Sequence, residues 1–264
     1  MIFLQQVTVL ILTFNEESNI GRTLDALIGF PEVVVLDSGS TDNTLRVAGG
    51  YPNVRVVSRP FDSHSNQWNY GLTACGLKNE WVLALDADYV LPPQLIEEIS
   101  GLSPSDNLDG YQTGFDYWIL GRSLSRSLYP PVTTLYRRIG ARYEQDGHTQ
   151  RVRLEGSVAQ LQGRIAHDDR KPLSRWLASQ GKYADQEAAL LLSKPASELR
   201  IQDKLRRLMV ITPWLVPLYC LTVGRGVLDG WAGIYYALQR GVAEAVLALK
   251  LLEARLAARQ ESTD

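Results

Sequence analysis

The stretch WVLALDAD at residues 81–88 decides how the chain is read. Trp81 to Leu85 is an apolar run too short for a helix, and it reads as a strand buried on both faces. Asp86 and Asp88 follow at once, so two carboxylates sit at the carboxyl end of that strand. In an open parallel sheet this is the end where ligands bind. Two carboxylates so spaced suit Mg²⁺ or Mn²⁺ and leave positions for diphosphate oxygens. A lone pair of this kind also occurs in solvated turns, so its meaning depends on what accompanies it.

Two other polar clusters follow apolar strands in the same way. Val7 to Leu12 precedes Thr13-Phe14-Asn15-Glu16-Glu17, and Val33 to Leu36 precedes the turn from Asp37 to Asp42. Val54 to Val57 is a further strand. Helices are expected between them. Asn15 can cap one that carries Ile20, Leu24, Leu27 and Ile28 on one face and ends at Pro31. Another opens after Asp37–Asp42, a third spans His64 to Leu77, and Pro92 and Pro93 suit the first turn of a fourth. Strands alternating with helices predict an α/β fold with a mostly parallel sheet covered on both faces. Beyond the loop-like stretch at Gly101–Asp109, Tyr111–Leu120, Val132–Tyr136 and Val158–Leu161 read as strands of a less regular part, with the polar stretch Ile139–Gln150 among them. Lys171–Leu192 reads as a helix with Leu173, Trp176, Leu177, Gln180, Ala184, Ala188 and Leu191 near one face. Pro195 ends it, and another helix is expected from Ala196 or Ser197. No glycine-rich dinucleotide fingerprint and no phosphate-loop lysine motif is present, which argues against a dehydrogenase and a nucleoside-triphosphate hydrolase.

The 264 residues carry 27 basic and 29 acidic side chains, a formal charge of −2, with no basic field for nucleic acid. Cys75 and Cys220 form neither a disulfide framework nor a metal spacing, which fits a reducing compartment. Met1 to Leu12 has no basic residue ahead of its apolar run, unlike a signal peptide. The tail differs from the rest. Leu208 to Gly224 is a run of 17 uncharged residues broken by Pro213 and Pro217. It follows Lys194, Arg200, Lys204, Arg206 and Arg207, set against Glu198 and Asp203, and with Trp214 and Tyr219 it is aromatic, as are Trp231, Tyr235 and Tyr236 after it. Its length is at the lower limit for a membrane span and its prolines disfavour a straight one. The pattern suggests interfacial helices on an anionic membrane. A hairpin packed on the main domain or on a partner subunit is the alternative.

The segments at 13–17, 35–42 and 85–88, in this order and at strand ends, resemble the inverting family-2 glycosyltransferases of GT-A fold. Gln67–Leu72, Leu120-Gly121-Arg122, Tyr129-Pro130, Tyr136-Arg137-Arg138, the segment around His148, and His167 ahead of the Trp176–Tyr183 helix resemble a subgroup that includes bacterial lipopolysaccharide-core glucosyltransferases. The resemblance implies a Rossmann-like nucleotide-sugar-binding domain over 1–194 and a helical, membrane-associating extension over 195–264. It implies a UDP-sugar donor and Mg²⁺ or Mn²⁺. Thr13, Asn15 and Glu17 would line the base and ribose, Asp37 would meet the uracil, and Asp86 would lie near the ribose or sugar. Gln67 and Arg138 would also serve the donor, while Asp88 and His167 would hold the metal.

Two positions depart from the pattern. Relatives often have an acidic residue after the metal aspartate, where this chain has Tyr89. They often have His-Glu where it has His148-Thr149, the glutamate being a candidate general base. A threonine hydroxyl cannot serve as that base near neutral pH, which leaves Asp146 as the nearest acid, ahead of Glu144 and Glu155, with His148 orienting base or acceptor. Arg122, Arg126, Arg137 and Arg142 are further candidates for anionic contacts, and Tyr117, Trp118, Tyr129 and Trp176 for a sugar platform or the core. The expected acceptor is a membrane-linked glycan or glycolipid at the cytoplasmic face of a bacterial inner membrane. Transfer to a soluble glycan or protein, with the tail serving homo-oligomerisation, and a non-catalytic nucleotide-sugar binder are the alternatives.

Overall fold

A computed structural model describes residues 3–146 and 149–261. Its contacts divide the chain into two compact units. The first holds residues 1–121, 129–145 and 150–171, and the second holds 122–128, 146–149 and 172–264.

The first unit opens on a 3₁₀ turn (Phe3–Gln6) and continues as β1 (Val7–Thr13), α1 (Ile20–Asp25), β2 (Glu32–Asp37), α2 (Thr44–Ala48), β3 (Val54–Ser58), α3 (His64–Ala74), β4 (Trp81–Asp86), β5 (Tyr89–Val90), α4 (Pro93–Ser100) and β6 (Leu108–Ile119). The two-residue β7 (Arg122–Ser123) belongs to the second unit. The chain then forms β8 (Val132–Arg137), β9 (Arg142–Asp146), β10 (Thr149–Arg153) and β11 (Ser157–His167). The main sheet runs β3-β2-β1-β4-β8-β6-β11-β5. β1 is parallel to β2 and β4, and β6 to β11, while β8 runs antiparallel to both β4 and β6.

The unbroken apolar runs have a direct cause: both faces of the sheet are covered. Val9, Ile11, Val33, Val35, Leu83 and Leu85 enter one core with Leu24, Leu95 and Ile99 from α1 and α4. The alternate residues Leu10, Val34, Leu36, Val82 and Ala84 enter the other with Trp68 and Leu72 from α3. α3 lies so close to β1 that a Cβ at Gly71 would stand 2.6 Å from Leu10 Cδ2.

Several local expectations change. Asn15 does not cap α1. It sits at φ +55°, four residues before the Asn19 cap position. α1 stops at Asp25, so Ile28 falls outside the helical period and is 62% exposed. The polar stretch after Ile139 contains β9 and the start of β10, which pair in a sheet of two strands. Tyr143 alone carries the inward side of β9, stacking on Trp68 with centroids 5.2 Å apart, and one apolar residue is too little to reveal a period of two. β11 extends well past Leu161, following β6 through a register shift between Gln160 and Arg164.

The second unit contains α5 (Leu173–Ser193), α6 (Ile201–Arg206), α7 (Thr212–Leu221) and α8 (Trp231–Glu261). α5 belongs here rather than with residues 1–171. Its Ala184, Ala188 and Leu191 are buried and pack with Leu247 and Leu251 of α8, whereas Leu173 and Leu177 are exposed. In this helical core Arg206 lies 2.7 Å from the buried Glu244 and 3.3 Å from Glu187. α6 starts later than expected, at Ile201. Among the described residues no helix is long and apolar enough to cross a membrane.

Candidate active site

Register alone assembles the three polar clusters. Thr13 pairs across from Asp37, and Leu12 across from Asp86, so the carboxyl ends of β2, β1 and β4 lie side by side. The loops beyond them are stapled together. Thr13 Oγ1 donates to Asp37 at 3.1 Å. Asn15 Oδ1 accepts from Thr41 N at 2.7 Å, and Asn15 N donates to Ser40 Oγ at 2.8 Å. Glu17 accepts from the Asn43 backbone at 3.0 Å.

Asp37 is bonded within its own loop and to Thr13. It is 1% exposed, and its carboxylate accepts from Thr13 Oγ1, Gly39 N, Ser40 N and Ser40 Oγ. A carboxylate has about four acceptor positions, so in this structure those of Asp37 are occupied from within and hold the loop. Gln67 behaves likewise. It is fully buried, donates to Ser38 Oγ at 3.0 Å and to Arg59 O at 3.2 Å, and accepts from the Arg59 guanidinium.

Asp86, Asp88 and His167 converge. β5 pairs antiparallel with the end of β11, placing His167 across from Tyr89. His167 Nε2 then lies 3.3 Å from Asp88 Oδ2, while its Nδ1 is buried without a hydrogen bond among the described residues. Tyr89, Phe115, Tyr117 and Tyr129 ring the imidazole at centroid distances of 4.7–6.4 Å. Tyr89, the departure from the acidic pattern, is buried and pairs its hydroxyl with that of Tyr129. Burial works to raise the pKa of Asp88, but His167 and Lys171 overcome it and hold the carboxyl below its ordinary range. Burial works to lower that of His167, and the Asp88 charge overturns this and raises it. Asp86 is pushed up, by burial first and then by Asp88.

The residues after His167 were not anticipated as part of the site. Lys171 Nζ lies 2.6 Å from Glu16 Oε1 and 3.7 Å from Asp169. Burial opposes its charge, yet Glu16, Asp88 and Asp169 together raise its pKa. Asn19, 1% exposed, donates to Glu16 and Asp169 and accepts from Arg22 and Arg170. Arg22 pairs with Asp168 at 2.6 Å. The visible signal was the charged run from Asp168 to Lys171. His64, at the start of α3, also feels the charge of Asp86.

Arg138 is not brought to this site. β8 runs antiparallel to β4 with Arg137 opposite Trp81, so Arg138 lies at the far end of β4 from Asp86. There it donates to Glu80 O through its backbone at 2.8 Å and reaches Leu72 O at 3.3 Å. Arg137 stacks over Trp81 at 4.9 Å. Glu144 is paired with Arg153 at 2.9 Å. His148 lies outside the described residues, and of Asp146 only the backbone at the end of β9 is described.

Residues 8–153, more than half of the chain, match the model of glycosyl transferase family 2. The chain belongs to this family. It is 34% identical over 108 residues to an uncharacterized glycosyltransferase of Rickettsia bellii, covering 40% of this chain and 36% of that protein. It is 28% identical over 120 residues to the lipopolysaccharide core biosynthesis glycosyltransferase LpsC of Rhizobium meliloti, covering 44% of each. The matched region thus spans less than half the length of these relatives. In fold the chain is similar to S. aureus TarS 1–349 in complex with UDP-GlcNAc, with 14% identity, a TM-score of 0.50, and coverage of 96% of this chain and 92% of that one. The fold is GT-A, and the clusters at the ends of β1, β2 and β4 fall within the family-2 match.

Proposed function

We propose that this family-2 transferase moves a hexosyl unit from a UDP-sugar to a hydroxyl of a membrane-linked glycan or lipid, of the lipopolysaccharide-core or exopolysaccharide kind. The convergence of Asp88 with His167, beside Asp86, carries the reading. The likeness to LpsC supports the acceptor class. The TarS structure holding UDP-GlcNAc supports the donor class.

The donor set fits Mg²⁺ or Mn²⁺. No group of three or more acidic, histidine or cysteine side chains placed to hold a metal ion by themselves occurs among the described residues. These ions need no such cage when substrate phosphates complete their shell. Asp88 and His167 would hold the ion, which would neutralise charge on the diphosphate. Asp86 takes the ribose or sugar. Lys171 adds a fixed positive charge for the departing UDP. Phe14, 51% exposed at the end of β1, offers the base an aromatic face, while Thr13, Asn15, Glu17, Asp37 and Gln67 keep the surrounding loops in place.

Transfer is a direct displacement. The acceptor oxygen attacks the anomeric carbon as the bond to UDP breaks, and the acceptor proton passes to a base. Asp146 is the candidate base and His148 its partner. The chemistry inverts the anomeric centre, and the site works at the cytoplasmic face of a bacterial inner membrane. The test follows UDP release from a panel of UDP-hexoses with Mn²⁺ and lipopolysaccharide-core acceptors. Release with at least one donor, abolished in Asp88→Asn, is expected. Release that is absent throughout, or equal in the variant, defeats the reading.

A further inference from the structure

α7 is apolar on two sides. Thr212 and Cys220 are buried, and Pro213 and Pro217 lie along α8 where Gly241 permits the approach. A Cβ at Gly241 would come within 2.8 Å of Pro217 Cγ. The other side shows Ile211, Trp214, Leu215 and Leu218, at i, i+3, i+4 and i+7, all exposed. The turn before α7 adds exposed Leu208 and Val210, and the turn after it adds Val223, Val227 and Leu228. Trp214 is 80% exposed, and Trp231, opening α8, is 83% exposed. Single exposed apolar residues are ordinary on a soluble surface, but a run of this extent marks a site of interaction.

The charges around it identify the partner. Lys204, before the first turn, and Arg225, in the second, are exposed. The neighbouring acids are engaged within the unit. Asp203 lies 3.9 Å from Arg206, and Asp229 accepts from Ser125 N at 3.0 Å. The charge left facing outward is positive. Tryptophans with basic residues around an apolar stripe suit the headgroup region of an anionic bilayer. α7 has 10 residues, about 15 Å of helix, roughly half of a hydrocarbon core of about 30 Å. Such a helix can lie in one leaflet but cannot span both.

We propose that α7 and the turns on either side of it form a monotopic docking face for an anionic phospholipid surface. The inference rests on the reading that the acceptor is membrane-linked, and it gives that reading a physical anchor.

The full chain is sedimented with vesicles of phosphatidylcholine alone and of equal parts phosphatidylcholine and phosphatidylglycerol. UDP affinity and thermal melting are read in parallel. Binding to the mixed vesicles is expected, at least about tenfold tighter than to phosphatidylcholine alone. Trp214→Ser with Trp231→Ser lowers it by about tenfold or more. Lys204→Ala with Arg225→Ala costs about fivefold per charge on mixed vesicles only. Leu218→Ser with Leu228→Ser serves as the second apolar variant should the first fail to fold. The proposal is overturned if wild type does not sediment, or if the folded variants sediment as wild type does. It is also overturned if wild type is a lipid-free dimer that Leu218→Ser and Leu228→Ser make monomeric, since a second copy then covers the face. Wild type that docks on vesicles without binding UDP sinks the transferase reading and leaves the docking face standing.

Discussion

The two units treat their most distinctive residues in opposite ways. In the first, apolar side chains vanish into the sheet and the polar residues of the site answer one another, as in the four bonds to Asp37 and the hub at Asn19. In the second, charges are gathered inward around Glu244 and Arg206 while Trp214 and Trp231 are left in the open. The polar loops of the first are held in fixed geometry by their own hydrogen bonds. The second is organised to present surface. Substitutions confined to one unit test whether it can be damaged without the other.

The largest effect is expected at Asp88. Asp88→Asn should lower turnover by about a thousandfold, the scale of losing a main electrostatic contact in the transition state, while leaving vesicle binding intact. Arg206→Ala should come next, in stability. It strands the buried Glu244 carboxylate and should cost about 3 kcal/mol, seen as a lower melting midpoint with UDP affinity kept wherever the protein is folded. A parallel loss of UDP affinity in folded protein would show that the two units are coupled.

How far these contrasts were legible in the sequence depended on how local their causes are. The runs Val7–Leu12, Val33–Leu36 and Trp81–Leu85 announced buried strands because both faces are covered, and the acids after them announced the site. The distant partner of Asp88 was legible as His167 only through family resemblance, since it arrives by the pairing of β5 with β11, which sets His167 across from Tyr89, 78 positions earlier in the chain (167 − 89). Lys171 and Asn19 were hidden for the same reason: their meaning lies in long-range hydrogen bonds. Arg138 was expected beside the donor, but a motif at the end of a strand gives no strand direction, and β8 runs against both of its neighbours. The helix Lys171–Leu192 was recognised, but its packing on Leu247 and Leu251 of α8 was not, because periodicity shows that a helix has an apolar face and not what that face meets.

Smaller effects sharpen the comparison. Lys171→Met should lower turnover by about thirtyfold, with Lys171→Arg recovering part of it, if the cation stabilises leaving-group charge. A fall in stability alone, with unchanged turnover in folded protein, would reduce Lys171 to the partner of Glu16. Phe14→Ala should raise the donor KM by about tenfold with little change in kcat, as expected from losing a stacking face. The smallest change is expected for Trp214→Ser. An exposed position should alter stability by no more than about 0.5 kcal/mol, so a marked drop in melting midpoint would mean that this tryptophan is packed in solution.

The central claim is that the ends of β1, β2 and β4, with His167, form a metal-assisted UDP-sugar site. Titration calorimetry of UDP into the full chain, with and without Mn²⁺, tests it most directly. Binding that strengthens with Mn²⁺ and weakens by about a hundredfold in Asp88→Asn is expected. UDP binding that ignores both the metal and the substitution would contradict it.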